Sequence, residues 1–156
     1  MGYEEEKQHQ LDMRYLRMAR VWAENSYCVR RQVGALIVKD KMIISDGYNG
    51  TPSGFENICE DEVTGKTKPY VLHAEANAII AASRDQMLGA TLYMACLDSK
   101  TGELVPHTNS CAMCKRQIIN AGIDKVVIRN DKTDYSVVNV SDWIEDDDSL
   151  SGKFGY

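Results

Sequence analysis

Two short groups of potential metal ligands, far apart in the chain, constrain the fold more than any other feature of the sequence. His73 and Glu75 flank a single alanine, and Cys111 and Cys114 are separated by two residues. One imidazole and two thiolates suit zinc, and three protein ligands leave one tetrahedral position open, which is typical of a catalytic zinc site. Glu75 is then a carboxylate that can move a proton beside the metal. The fold must therefore bring the two groups together.

The neighbouring residues predict that both groups lie at the start of helices. An alanine-rich helix is predicted over 72–86, and a second over 111–121. The N–H groups and partial positive charge of a helix N-terminus favour thiolates, the form that binds metal. The i, i+3 spacing places Cys111 and Cys114 on one helical face, and Ser110 is predicted to be the N-cap.

The remaining hydrophobic pattern predicts an α/β fold with a mixed sheet. Strands connected by crossover helices pair in parallel, whereas two adjacent apolar runs predict an antiparallel hairpin. A region rich in Gly, Pro, Asn and Thr predicts a long functional loop. The other predicted elements are a helix over 8–24, hairpin strands over 33–38 and 42–45, the loop over 47–68, and strands over 89–95 and 124–129.

Length and composition predict one globular domain over 1–156, with a core at about 8–140 and an acidic, partly mobile tail at about 141–156. Hydrophobic residues make up 44% of the chain and charged residues 26%, which are ordinary globular values. The net charge of −5 disfavours a broad nucleic-acid surface. No apolar stretch is long enough to span a bilayer, and the acidic N-terminus is unlike a secretory signal. No membrane or nucleic-acid partner is expected.

The cysteine content favours metal binding in a reducing cytoplasm over a disulfide framework. Five cysteines are an odd number, and one pair accompanies the His-x-Glu group. We therefore predict that Cys28, Cys59 and Cys96 are small buried residues or free thiols. A closed structural zinc site with Glu75 as fourth ligand, or a redox-active cysteine pair, remain the alternatives for the main motif.

Six segments together resemble the deoxycytidylate (dCMP) deaminase family of the zinc-dependent cytidine deaminase-like superfamily. The His-x-Glu and Cys-x-x-Cys groups specify the superfamily, and the loop Gly-Tyr-Asn-Gly-Thr-Pro-Ser-Gly narrows the resemblance to dCMP deaminases and their close relatives. The resemblance implies a three-layer α-β-α fold with a mixed central sheet of about five strands. The matching segments are 26–30, 33–35, 47–54, 73–79, 111–115 and 121–123.

The resemblance implies hydrolytic deamination of dCMP to dUMP and ammonia, which supplies dUMP for thymidylate synthesis. Glu75 would take the proton of the attacking water, deliver it to ring N3, and help protonate the departing ammonia. The backbone N–H of Ala74 would contact the pyrimidine carbonyl. Asn49 would contact the sugar hydroxyl, although Asn-Gly is also a common turn dipeptide.

A nucleotide phosphate needs cationic partners, and a planar guanidinium fits phosphate well. Arg30, at a family-matched position, is the preferred candidate, and solvated surface charge is the alternative. Tyr135 is a candidate to stack on the nucleotide, and a core or surface tyrosine is the alternative. The chain departs from the family pattern at Ser110, where relatives have proline, and in a longer segment over 97–109.

Many relatives are homohexamers that dCTP activates and dTTP inhibits, so a homo-oligomer, these effectors and a Mg²⁺ ion with the effector are implied. The effector loop would contain Gly47, Tyr48, Gly50 and Gly54. Some relatives bind a second zinc near the positions of Cys28 and Cys59, but the upstream histidines they use are absent here. Alternative functions are a nucleoside cytidine deaminase, a tRNA adenosine deaminase, and a non-catalytic zinc-binding protein of the competence type.

Overall fold

A computed structural model describes residues 2–146 as a five-stranded mixed sheet between two layers of helices. The strands are β1 (Arg31–Lys39), β2 (Met42–Tyr48), β3 (Thr91–Asp98), β4 (Lys125–Arg129) and β5 (Tyr135–Asn139). The helices are α1 (Tyr3–Ala23), α2 (Ala74–Ile80), α3 (Arg84–Met87), α4 (Ala112–Ala121) and α5 (Val140–Asp146). Within these residues, no helix is long and apolar enough to cross a bilayer.

The strand order is β2-β1-β3-β4-β5, and it combines both kinds of pairing. β1 pairs with β2 as the predicted antiparallel hairpin and also pairs antiparallel with β3. β3 and β4, connected through α4, are parallel. The predicted mixed sheet of about five strands is confirmed, and its last strand, β5, was not predicted.

The helices form two layers, which confirms the predicted α-β-α architecture. α1 packs on one face of the sheet against β1 and β3, where Leu16 and Ala19 are fully buried. α2 and α4 pack on the opposite face and contact each other. The core on that side is built from alanines of α2, Ile118 of α4 and the inward side chains of β1, β3 and β4. This arrangement brings the N-termini of α2 and α4 together.

Three segments differ from the prediction. The first helix begins at Tyr3, five residues before the predicted start at residue 8. The predicted helix over 72–86 is two helices, because Ser83 caps a new turn: its Oγ accepts from Gln86 N and its N–H donates to the Gln86 side chain. The predicted acidic tail begins as α5, in which Trp143 is buried, and its residues 147–156 lie outside the described range.

Two cysteines correct the prediction that no disulfide forms. Cys28 and Cys59 are joined by a disulfide that links the segment before β1 to the long loop between β2 and α2. They are 31 residues apart in sequence, and both are buried. The prediction of free thiols is therefore wrong for Cys28 and Cys59, while Cys96 is a buried free thiol as predicted.

Candidate active site

The two predicted ligand groups meet at adjacent helix N-termini. His73 is the N-cap residue of α2, so Glu75 lies in the first turn of that helix. Cys111 is the N-cap residue of α4, and its sulfur accepts a hydrogen bond from Cys114 N. Ser110 is therefore not the N-cap, which corrects the prediction. Because a sulfur at the N-cap lies against the free N–H groups of the first turn, the helix favours a thiolate there.

The ligand atoms are spaced as a zinc site requires. His73 Nδ1 is 3.4 Å from Cys111 Sγ and 3.4 Å from Cys114 Sγ. Tetrahedral zinc with ordinary Zn–N and Zn–S bonds places these atoms about 3.6 Å apart. All three ligand atoms lie within 4.8 Å of one another, and Glu75 does not belong to this group. Among the described residues, therefore, three donors converge on one position, and they fit zinc.

The three ligand side chains shift one another's pKa values. Hydrogen bonds from the Cys114 thiol and from His73 lower the pKa of Cys111 to about 3. The hydrogen bond to Cys111 also raises the pKa of His73, although burial opposes this. The pKa of Cys114 is raised by its hydrogen bond to Cys111, by burial and by the nearby Glu75 carboxylate. A divalent cation would replace these protons as the partner of both sulfurs.

A cavity of about 500 Å³ opens beside the ligand cluster. His73 and Cys111 line it, together with Ala74 and Glu75, and Glu75 is a buried residue with 4% exposure. Glu75, the predicted proton carrier, therefore lies in the cavity wall next to the metal ligands and is largely shielded from solvent. This volume is in the range of small-molecule sites.

Asn49 lines the cavity, but both ends of its amide already bond to β1. Its Oδ1 accepts from Val33 N at 2.8 Å, and its Nδ2 donates to Arg31 O at 2.9 Å. Asn49 thus fixes the start of the long loop to the strand beside the cavity. A contact between Asn49 and a sugar hydroxyl remains a prediction.

The predicted phosphate ligand Arg30 also lines the cavity, and so does its neighbour Arg31. Both residues are exposed. The backbone at this point is held by Glu60, a buried carboxylate that accepts from Val29 N and Arg30 N at 3.1 Å. Since Glu60 follows Cys59, the disulfide and the carboxylate together fix this side of the cavity.

Tyr135 lies elsewhere. Its hydroxyl donates to Asp12 Oδ2 at 3.0 Å and bonds to His9 Nδ1 at 3.0 Å, and its ring stacks on the His9 ring. These partners belong to α1, and Tyr135 is not among the residues that line the cavity. The structure does not bring Tyr135 together with the other predicted site residues.

The four residues of the predicted effector loop have separate structural roles. Gly47 and Tyr48 belong to β2 rather than to the loop. A Cβ on Gly47 would be 2.5 Å from Ala74 O, so this glycine permits the close packing of β2 and α2. Gly50 is hydrogen-bonded to Leu72 in both directions, and Gly54 has a positive φ of 90°.

Residues 9–130 match the sequence profile of the cytidine and deoxycytidylate deaminase zinc-binding region. The chain belongs to this deaminase family. Deoxycytidylate deaminase of Mycobacterium phage D29 is 33% identical over 129 residues, which cover 74% of this chain and 91% of the phage protein. Human deoxycytidylate deaminase is 35% identical, with 76% and 64% of the two chains covered. The chain spans 36% of the yeast deoxycytidylate deaminase, which is 33% identical over 74% of this chain.

Solved structures support the same assignment. The dCMP deaminase of cyanophage S-TIM5, crystallised with dCMP and dUMP, matches with a TM-score of 0.62 and 32% identity, covering 97% of this chain and 93% of that one. Cytidine deaminase from Burkholderia pseudomallei, at 20% identity and a TM-score of 0.54, shares the fold. Its alignment covers 84% of this chain and 94% of that one.

Sequence reasoning missed one wall of this deaminase site. Residues 105–109, which belong to the segment over 97–109 that the resemblance predicts to be an insertion, line the cavity. Met94 and Cys96, on β3, form its adjoining surface, and burial raises the pKa of the Cys96 thiol. The predicted insertion was the available signal, but sequence spacing does not indicate where such a segment folds back.

Proposed function

We propose that this protein is a zinc-dependent hydrolase that deaminates dCMP to dUMP and ammonia. The observation that carries the proposal is the convergence of His73, Cys111 and Cys114 around one position, with the buried Glu75 in the same cavity wall. Membership of the deaminase family and the likeness to a dCMP deaminase crystallised with dCMP and dUMP support it.

Different residues of the chain have different roles in this reaction. His73, Cys111 and Cys114 would hold the zinc ion, which when bound supplies an activated water nucleophile at neutral pH. Glu75 would carry a proton from water to ring N3 of the pyrimidine and would then assist protonation of the leaving ammonia. The Ala74 N–H holds the pyrimidine carbonyl, and Asn49 approaches the sugar. Arg30 binds the phosphate as an exposed cation at the cavity edge.

The test is ammonia release by zinc-loaded protein from dCMP, deoxycytidine, cytidine and a tRNA anticodon stem-loop. We expect turnover of dCMP above the other three substrates. Glu75→Gln keeps the side-chain volume and removes the carboxylate, so we expect at least a hundredfold loss of kcat with zinc still bound. A chain that binds zinc stoichiometrically but releases no ammonia from dCMP would refute the proposal, and preferential release from another substrate would identify that alternative.

Regulation and assembly are proposed on resemblance alone. We expect a homo-oligomer that dCTP activates and dTTP inhibits, with the loop near Gly50 and Gly54 contacting the effector and Mg²⁺ accompanying it. Sedimentation and activity are measured with dCTP and Mg²⁺, with dTTP, and without nucleotide. A mass and an activity that stay the same under all three conditions would refute the proposed regulation. The single-domain organisation of residues 1–156 and the cytoplasmic location also remain predictions.

A further inference from the structure

The segment between β3 and α4 takes the place of a strand beside the cavity. β4 pairs with β3 only as far as Met94. Beyond that point the chain returns along β3: Leu104 bridges to Leu97, and Val105 N donates to Cys96 O at 2.9 Å. The same segment continues along the cavity as residues 105–109, so the insertion forms part of the site.

His107, in the middle of this wall, has a left-handed backbone with φ of 56°. This conformation is uncommon for a residue other than glycine, and such residues persist where the surrounding structure holds them. They are often found at sites that bind ligands. The conformation of His107 therefore needs a structural cause.

Asn130 supplies that cause from the end of β4. His107 N donates to Asn130 Oδ1 at 3.0 Å. The other end of the amide, Nδ2, donates to Asp134 Oδ2 at 3.1 Å and to Ser136 Oγ at 3.0 Å. Asn130 is 4% exposed, so its orientation is fixed by buried hydrogen bonds. The insertion is thereby attached to the β4–β5 connection through one side chain.

The position of His107 in the cavity indicates its ligand. A pyrimidine must reach Glu75, which is buried beside the metal ligands. His107 is exposed, as are Arg30 and Arg31, and all three line the same cavity. The phosphate, which carries the charge of the nucleotide, is best placed among these exposed groups. An imidazole N–H can donate a hydrogen bond to a phosphate oxygen.

We infer that His107 contacts the 5′-phosphate of the substrate and that Asn130 is the residue that positions it. This inference rests on the proposed deamination of a nucleotide. The insertion then makes the site selective for a nucleoside monophosphate over the free nucleoside. Arg30 supplies charge from one segment of the cavity lining, and His107 supplies a directed donor from another.

The test compares dCMP with deoxycytidine in zinc-loaded His107→Asn. Asparagine tolerates the left-handed conformation, so the loop is retained while the imidazole is lost. We expect KM for dCMP to rise roughly ten- to a hundredfold, since a hydrogen bond to a charged group is removed. KM for deoxycytidine, which has no phosphate, should change far less. Asn130→Ala should change the KM ratio in the same direction, with kcat less affected. His9→Asn, on α1 outside the cavity, is the matched control.

The possible outcomes separate this inference from the proposed function. If the wild-type enzyme deaminates dCMP and His107→Asn leaves the ratio of the two KM values unchanged, the inference is wrong while the function stands. If the wild type does not deaminate dCMP, calorimetry with dUMP and deoxyuridine still measures what the phosphate adds to binding. An equal phosphate contribution in wild type and His107→Asn, including none in either, would overturn the inference.

Discussion

Gly47 controls the position of α2, and replacing it with alanine should release zinc. A Cβ at this position would be 2.5 Å from Ala74 O and 2.6 Å from Ala78 N, whereas ordinary contacts begin at 3.4 Å. α2 must therefore move by about 0.9 Å, because backbone atoms cannot rotate away. Metal–ligand distances tolerate errors of only about 0.2 Å. His73 and Glu75 move with α2, while Cys111 and Cys114 belong to α4.

The stability cost of Gly47→Ala is that of overpacking, about 2 kcal/mol. In a domain of this size, that corresponds to a fall in Tm of about 4–8 °C. Zinc retention after dialysis against a competing chelator is the decisive measurement, with dCMP deamination as the second. We expect zinc affinity to fall at least tenfold, the loss typical of disturbing the groups that orient metal ligands.

Gly34→Ala is the matched control. A Cβ there would overlap with Ala19 O and lie 2.6 Å from Ala23 N, so it also forces a helix away from the sheet. That helix is α1, which carries no zinc ligand. Gly34→Ala should lower Tm without lowering zinc affinity. Full zinc retention in Gly47→Ala, or equal zinc loss in both variants, would refute the reasoning.

Three further predictions concern stability and metal binding. Cys59→Ser should lower the free energy of unfolding by about 3–4 kcal/mol, as expected for opening a cross-link over 31 residues. A reductant should lower the Tm of the wild type but not the Tm of the variant. Zinc affinity should fall as pH drops below the raised pKa of His73, because the protonated imidazole cannot bind metal; the zinc dissociation constant, measured by equilibrium dialysis at a series of pH values, should rise as pH falls, and a constant that does not change with pH would contradict this competition. Tyr93→Phe removes a hydrogen-bond donor to the buried Asp12, so chemical denaturation should show a free energy of unfolding lower by about 1–3 kcal/mol. The loss should be larger than in Tyr135→Phe, because Tyr135 is less buried than Tyr93. A rise in KM for dCMP in Tyr135→Phe would support the nucleotide contact predicted from sequence.

Features encoded in short segments were predictable from the sequence. The hairpin of β1 and β2 follows from two adjacent apolar runs, and Gly122 ends α4 with the expected left-handed φ of 82°. The convergence of His73 with the Cys-x-x-Cys pair was also predictable, because a metal site requires it whatever the intervening chain does. In each case the physical constraint acts within a few residues or through a known coordination geometry.

One local signal was missed, and two features that depend on distant contacts were not predictable. The alanine-rich segment favours one long helix by propensity, yet Ser83 and Gln86 form a reciprocal capping pair that starts a new one. That Ser-x-x-Gln spacing was a usable signal. The pairing of Cys28 with Cys59 had no such signal, because it depends on how the long loop returns to the start of β1. Tyr135 was assigned to the nucleotide, whereas the antiparallel pairing of β5 with β4 places it against α1.

The sheet topology explains why so many functional groups gather at one edge. β1 runs antiparallel to β3, so the start of β1 at Arg31 lies beside the end of β3 at Asp98. β4 runs parallel to β3, so its end, followed by Asn130, lies at the same edge. α2 and α4 begin at this edge because each leads the chain to the opposite end of the sheet. Strand direction therefore brings together the cluster of His73, Cys111 and Cys114, the exposed arginines Arg30 and Arg31, and the cavity wall that contains His107.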